Sequence, residues 1–294
     1  MKPYNLPILK ENSYLFDVEL SNFSFFKSGG KADVMYFPDS IDELIYFLKN
    51  FEHKDKIFVI GAGSNLLIRD SGFRGVVIGL KNLNNITLNN NKINCGCGTL
   101  NSKLFNFVKS NCIADYEFLA LIPGTIGGAC RMNAGCYGHC ISDILEYIEA
   151  VDPYGNIKRF YKDEFKLDYR YNSLPENLIF VNACFGVTRY DTKQNILDSF
   201  NEKLKRKIDS QPINEKTCGS TFKNLPDYPA WKIIQELGFQ GVEFNNVKMS
   251  EKHANFLINC GGTSTDIENL IKLIKDKAKT EKNIDLELEL KILG

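Results

Sequence analysis

Three short places in this 294-residue sequence carry polar side chains of chemically useful types in surroundings that are otherwise apolar or glycine-rich. Arg170 lies in DYRYNS between two expected strands, and Ser220 lies between Gly219 and Thr221 on an open turn. Glu287 and Glu289 share one face of an expected C-terminal strand, IDLELELKIL. An arginine keeps its charge at any workable pH, and a serine hydroxyl or a carboxylate can serve in nucleophilic or acid–base chemistry. Each also has a plainer account. Arg170 could be a surface ion-pair partner, Ser220 a turn residue bonding its own backbone, and the glutamates the wet face of an edge strand. A serine hydrolase is disfavoured, because GSTFK is not a GxSxG elbow and no Asp–His partner pattern is evident.

The element that would have to organise such groups is residues 118–138, FLALIPGTIGGACRMNAGCYG, the most glycine-dense segment of the chain. Glycine gives up chain order, so such a run is tolerated where backbone must approach something closely or adopt a positive φ. Pro123 before Gly124 adds a turn, and IPGTIGG is expected to offer consecutive uncovered amides. A flat, polar-edged ligand such as a flavin ring would use that surface. The same composition also suits a tight loop packed on the domain's own backbone.

A second glycine-rich turn follows the apolar run at 57–60, in Gly61-Ala62-Gly63-Ser64-Asn65. It resembles the start of a Rossmann fingerprint but lacks the third glycine, and LLIRDSGFRGVVIGL after it reads as strands rather than a helix. A phosphate there would be held by loop amides and by Ser64 and Asn65, without a helix dipole behind them.

Lys plus Arg and Asp plus Glu total 36 each, so no bulk charge draws the chain to nucleic acid or to an anionic membrane. Hydrophobic content of 44% and charged content of 24% are those of a soluble globular protein. The N-terminal stretch alternates apolar and polar residues without a continuous apolar run, and no segment approaches the roughly 18 apolar residues of a membrane helix. A cytoplasmic protein is expected. The nine cysteines are odd in number in a chain too long to need staples, so reduced, buried thiols are expected. Cys136, His139 and Cys140 supply two thiols and one imidazole with no second pair nearby, so no metal site is expected.

Along the chain, 20–39 reads as an aromatic strand, a Gly29-Gly30 turn and a second strand. A helix follows with the capping box Ser40-x-x-Glu43 and with Ile41, Leu44, Ile45 and Leu48 on one face. A hairpin over 86–97 turns at Asn89-Asn90-Asn91, and a helix carrying Leu100, Leu104, Phe107 and Val108 comes next. A second hairpin joins 146–151 to 157–161 through Asp152-Pro153-Tyr154-Gly155, and 177–187 returns as a strand. Residues 191–216 form a helix and linker into a second domain. There a helix starts near Pro229, aligns Ala230, Ile233, Ile234 and Leu237, and ends at Gly238. Residues 247–260 read as loop into strand, and the last helix opens with the box Thr265-x-x-Glu268. The pattern is α+β with many antiparallel pairs.

Taken together, KSGGKAD, VIGAGSNLL, EFLALIPGTIGGACRMNAGCYG, DYRYNS, GSTFKN, SEKHANFLINCGG and LELELKILG resemble the UDP-N-acetylenolpyruvoylglucosamine reductases (UDP-N-acetylmuramate dehydrogenases), in the family's order from about residue 20 onward. The length resembles the shorter subtype, which lacks a tyrosine-bearing loop over the substrate. The resemblance implies a two-part FAD-binding domain of the vanillyl-alcohol-oxidase/PCMH type over 1–205, with lobes about 20–85 and 86–205. A smaller C-terminal α+β substrate domain would occupy 206–294. It implies non-covalent FAD reduced by NADPH, then reduction of UDP-N-acetylglucosamine enolpyruvate at its terminal vinyl carbon by hydride from flavin N5. A monomer or weak oligomer is expected.

By the same matching, Arg170 would stabilise the negative charge left by hydride addition, Ser220 would donate the proton, and Glu289 would position the carboxylate network. Gly61, Ala62, Gly63, Ser64, Asn65, Leu66, Pro123, Gly124, Thr125, Gly127, Gly128, Asn133, Gly135 and Gly138 would bind the cofactor. The pyrophosphate would lie partly on the first turn and the ring against 122–138. Tyr169, Lys223, Asn224, Lys252 and His253 would neighbour the substrate. Two departures from the family pattern stand out: Leu288 replaces the usual proline between the terminal glutamates, and both Tyr171 and Asn172 separate Arg170 from Ser173. The alternatives are an FAD-linked oxidase or dehydrogenase of alcohols or hydroxy acids on the same scaffold, and a non-catalytic nucleotide-binding protein.

Overall fold

The computed structural model describes residues 4–10 and 13–294; residues 1–3 and 11–12, part of the N-terminal stretch read above, lie outside the described residues. The chain forms two compact units. One comprises Met1–Phe16, Asp33–Ala62 and Gly75–Lys205; the other comprises Asp17–Ala32, Gly63–Arg74 and Arg206–Gly294.

The first unit holds a five-stranded antiparallel sheet in the order Ile157–Tyr161, Leu145–Val151, Ile179–Gly186, Lys92–Gly96, Ile86–Asn89. The hairpin at its edge turns at Asn90 and Asn91, both at positive φ (50° and 56°), which asparagine tolerates better than most residues. Ile148, Ala150, Ala183, Phe185 and Ile93 put one face of this sheet into the core. The strands Ile57–Ile60 and Phe73–Gly79 pair in parallel, Ile57 opposite Val76. The helix Ile41–Asn50 starts at the expected N-cap, Ser40 accepting from the Glu43 N–H at 3.1 Å, but only this half of the expected box is formed. Glu43 then accepts from the Tyr36 hydroxyl, and Tyr36, Phe47 and Phe51 stack behind it. The helix Asn101–Ser110 buries Leu104, Phe105 and Val108, whereas Leu100 is its N-cap and is half exposed.

The aromatic strand expected from residue 20 is instead a 3-10 turn, Leu20–Phe23, and the strand lies upstream at Tyr14–Glu19. Ser24 is the reason: its hydroxyl accepts from the Phe26 N–H and donates to the Leu66 carbonyl, a local closure that competes with an extended ladder.

The second unit packs the helices Ala230–Glu236 and Ser264–Lys282 with a three-stranded sheet in the order Glu243–Phe244, Val247–Met249, Leu257–Asn259. The run 247–260 therefore begins with a strand rather than a loop. Pro229 is the N-cap of the first helix, one place before its first turn. The last helix is capped two residues earlier than expected, by Thr263 with Asp266 closing the box. Asp70 takes the Ser264 and Thr265 N–H groups at 3.0 Å each, which leaves Thr265 inside the helix.

The C-terminal run is not one strand. Leu288 bridges to Phe222, the chain bends at 289–290, and Lys291–Leu293 then pairs in parallel with Leu66–Ile68. The alternating pattern is real, but the chain changes partners within it and no straight strand could serve both. The bend forms without the proline that usually stands at position 288. Among the described residues, no helix is long and apolar enough to cross a membrane, and no three metal-ligating side chains gather.

Candidate active site

In the first unit the glycine-dense segment folds around Thr125. Its hydroxyl caps the helix Ile126–Arg131 by accepting from the Gly128 N–H at 3.4 Å. The amides expected to lie open are largely taken. The Ile126 N–H donates to the Thr99 carbonyl at 2.9 Å and the Gly127 N–H to the Cys97 carbonyl at 2.9 Å. Asn101 fixes the preceding turn, its backbone N–H reaching the Gly124 carbonyl and its side-chain amide the Ile122 carbonyl. The reason is general: buried backbone donors seek partners, and a strand-end loop supplied them.

What stays open is α-carbon surface. Gly61, at the end of the strand Ile57–Ile60, and Gly128 are both exposed and flank the buried Thr125. A Cβ on Gly61 would stand 2.6 Å from Thr125 Oγ1, and one on Gly128 would meet only that atom, at 3.6 Å. The two glycine-rich turns thus meet at one hydroxyl, and a bare surface that a side chain would fill fits a flat group laid across it. Gly138 is also open, with nothing within 4 Å of its missing Cβ. Gly127 differs, because a Cβ there would touch Cys97 at 3.1 Å. Burial pushes the Cys97 and Cys130 thiols well up, so both stay neutral and unreactive beneath this surface.

The same segment positions Arg170. A small hairpin pairs Leu167 with Asn172 and Asp168 with Tyr171, leaving Tyr169-Arg170 as its two-residue turn. Ser173 closes its base, accepting from the Lys166 N–H at 2.8 Å. Four bonds tie the hairpin region to 130–135: Asn133 Nδ2 to the Asp168 carbonyl, Asn172 Nδ2 to the Cys130 carbonyl, Arg170 Nη2 to the Gly135 carbonyl, and Arg131 to the Leu174 carbonyl. Arg131 also reaches the Pro175 and Leu178 carbonyls and lies over the Phe180 ring. Burial pulls its guanidinium down to about 10, so it remains charged at neutral pH. Arg170 itself is half-buried at φ +52°, a left-handed conformation costly for a residue with a side chain. Tyr169 is exposed, its ring 5.0 Å from the Arg170 guanidinium carbon. Asn133, expected to face a cofactor, spends its side chain on Asp168 and on the Ser142 N–H.

In the second unit, Ser220 lies not on an open turn but in a bridge with Phe256. The segment 220–223 runs between two others. On one side Asn255 Oδ1 accepts from the Phe222 N–H at 2.9 Å, its Nδ2 donates to the Phe222 carbonyl at 2.8 Å, and its own carbonyl accepts from the Thr221 N–H at 2.8 Å. On the other side the Glu289 N–H donates to the Thr221 carbonyl at 2.9 Å and the Lys223 N–H to the Glu287 carbonyl at 2.8 Å. Asn65 extends the lattice, its Nδ2 reaching the Glu289 carbonyl at 3.1 Å. Ser220, Asn65 and Glu289 therefore belong to one hydrogen-bonded frame.

The other expected neighbours fall around it. Lys223 pairs with Glu287 at 2.5 Å, and Asn224 accepts from the Ala230 N–H at 3.0 Å, serving a helix donor that Pro229 cannot reach. Lys252 donates to the Ile208 carbonyl. His253 packs edge-on against Phe256 and Trp231, its Nδ1 accepts from the Asn255 N–H, and burial holds it below its ordinary value, so it is neutral. Gly63 is buried so tightly against the Phe23 backbone that it admits no Cβ, while Cys218 contacts the Gly63 and Leu66 carbonyls. Nothing in the sequence marks Asn255 or Arg131, and Asn172 is marked only by its place between Arg170 and Ser173. Only the arrangement of carbonyls around them gives them away.

A family profile described as the C-terminal domain of UDP-N-acetylenolpyruvoylglucosamine reductase matches residues 211–293, and one described as an FAD binding domain matches residues 32–161. The chain is 40% identical over 291 residues to the UDP-N-acetylenolpyruvoylglucosamine reductase of Rickettsia massiliae, covering 98% of each chain. It is 39% identical to that of Rickettsia prowazekii over the same span. Its fold is similar to the crystal structure of the Thermus caldophilus enzyme, with a TM-score of 0.83 at 27% identity, covering 94% of this chain and 98% of that one. With a specific C-terminal domain, a full-length relation and a shared fold, the chain belongs to the UDP-N-acetylenolpyruvoylglucosamine reductase family, the flavoenzymes of peptidoglycan-precursor synthesis.

Proposed function

We propose that Ser220, Arg170 and Glu289 carry the chemistry by which this reductase converts UDP-N-acetylglucosamine enolpyruvate to UDP-N-acetylmuramate. FAD, reduced by NADPH, supplies the hydride when bound. The residues that would hold it are the glycines around Thr125, with Gly61 and Gly128 leaving bare backbone for a flat ring, and the turn 61–66 for the pyrophosphate. Arg170 holds a permanent cation where the substrate carboxylate gains negative charge, preorganised by a backbone that is already strained into place. Ser220 gives its hydroxyl proton to the substrate carbon. A serine is a poor acid in water, but the enolate is a strong base and the fixed distance makes the transfer effective. Glu289 orients the substrate carboxylate and its protons.

The observation that carries this reading is the bond from the Glu289 N–H to the Thr221 carbonyl at 2.9 Å, which binds the Ser220 segment and the Glu289 bend into one frame. The test is Ser220→Ala. Bleaching by NADPH should persist while product formation collapses. Loss of both would make Ser220 a structural residue, and rapid reoxidation of the reduced protein by oxygen alone would favour the oxidase alternative.

The division into an FAD-binding part over 1–205 and a substrate-binding part over 206–294 draws support from the two family matches at 32–161 and 211–293, although by compactness Asp17–Ala32 and Gly63–Arg74 group with the C-terminal part. Membership of the shorter subtype is supported by the length of the chain, which leaves little room for a further loop. A cytoplasmic location suits a nucleotide-linked substrate and NADPH.

A further inference from the structure

We propose that Asn255 is a positioning residue for the Ser220 hydroxyl, its side-chain amide standing in for a neighbouring strand at Phe222. This rests on the reading of Ser220 as the proton donor. The loop 250–256 between the strands Val247–Met249 and Leu257–Asn259 offers the segment one isolated bridge, Phe256 to Ser220, and no continuing strand. A single asparagine side chain carries one acceptor and one donor group at the spacing of a peptide. Here both are used on Phe222, at 2.9 and 2.8 Å, while the Asn255 carbonyl takes the Thr221 N–H at 2.8 Å. Asn255 is 2% exposed, so water cannot replace these bonds if the side chain is removed.

The need for such a clamp comes from the other end of the segment. Gly219, immediately before Ser220, is at φ +78° with nothing within 4 Å of its missing Cβ. That glycine takes the left-handed conformation without steric cost and packs no side chain of its own, so on this side the segment is held through Cys218, buried on the Gly63 and Leu66 carbonyls. Beyond the bridge of Ser220 to Phe256, the hydroxyl is aimed from its C-terminal side, by Asn255 on one edge and by the Glu287 carbonyl and Glu289 N–H on the other. Asn255 in turn is set by its own N–H donating to His253 Nδ1 at 3.2 Å.

The test uses the FAD-loaded full chain in two half-reactions: anaerobic bleaching by NADPH, then single-turnover recovery of colour on adding UDP-N-acetylglucosamine enolpyruvate. Asn255→Asp keeps the volume and the acceptor for the Phe222 N–H; Asn255→Ala removes both groups. Both should bleach within about twofold of the parent rate, while recovery slows on the order of 10²-fold, the scale of a misplacement near 1 Å. Combined with Ser220→Ala, neither should add further loss, because a residue acting through Ser220 has nothing left to position. Multiplying losses in the double variants, equal slowing of both half-reactions, or normal recovery in both single variants would each overturn the proposal. Recovery at the parent rate in Ser220→Ala alone would instead remove the proton-donor reading, and the role of Asn255 with it.

Discussion

Gly61 and Thr125 stand so close that a Cβ on the glycine would lie 2.6 Å from the threonine Oγ1. The hydroxyl cannot simply turn away, because it accepts from the Gly128 N–H and caps the short helix Ile126–Arg131. Gly61→Ala therefore forces a choice between losing the cap, at about 1 kcal/mol, and shifting the strand end. Either displaces the bare surface between the two glycine turns. The variant should fold with only a slightly lower melting temperature and yet purify with little FAD, read from its visible absorbance. A fully yellow Gly61→Ala protein would refute the cradle.

Gly127 and Gly128 are adjacent in sequence but predict opposite outcomes. A Cβ on Gly127 meets Cys97 at 3.1 Å, against a strand end buried in the core, whereas one on Gly128 has only Thr125 Oγ1 at 3.6 Å. Gly127→Val should overpack the interior and cost about 1–3 kcal/mol of stability. Gly128→Val should leave thermal unfolding of the FAD-free protein nearly unchanged and abolish flavin binding. Equal flavin loss with equal destabilisation in both would mean that Gly128, too, serves only packing.

Arg170 separates stability from activity. Its backbone at φ +52° costs about 1–2 kcal/mol for a residue with a Cβ, and its bond to the Gly135 carbonyl at 3.2 Å returns about 1 kcal/mol. Glycine relieves the first and forfeits the second. Arg170→Gly should therefore melt within a few degrees of the parent and still bleach with NADPH, while reduction of the enolpyruvyl substrate falls on the order of 10²–10³-fold, as for loss of an oxyanion stabiliser. Retained turnover would show that the strain serves the turn and not the substrate.

These relationships mark where the sequence could be read and where it could not. Period and punctuation revealed the two hairpins, the helix behind Ser40 and the buried face of Ala230, Ile233, Ile234 and Leu237, because each is decided within a few residues. The capping box at the last helix was displaced because Asp70, far away in sequence, occupies the Ser264 and Thr265 amides. The alternation around Glu289 concealed a bend because period 2 records which residues are buried and not which strand they pair with. The motif segments revealed Arg170, Ser220 and Glu289 as candidates. Asn255 stayed silent, since an asparagine that imitates a strand looks like any loop asparagine until its partners are known.

His253 gives the last prediction, in pH. Burial against Phe256 and Trp231 disfavours its charged form and lowers its pKa below the ordinary 6.5. Above that value the imidazole is neutral both folded and unfolded, and it adds no pH dependence. As pH falls below 6.5 the unfolded chain takes up the proton first, so folding loses free energy progressively until the folded-state pKa is passed. His253→Asn keeps an acceptor for the Asn255 N–H and cannot titrate. Chemical unfolding of the full chain at a series of pH values between about 7 and 5 should show the parent losing stability relative to this variant as acid is added. Parallel curves across that range would mean that the imidazole is solvated and protonates in place, and that the wall it forms beside Asn255 is not dry.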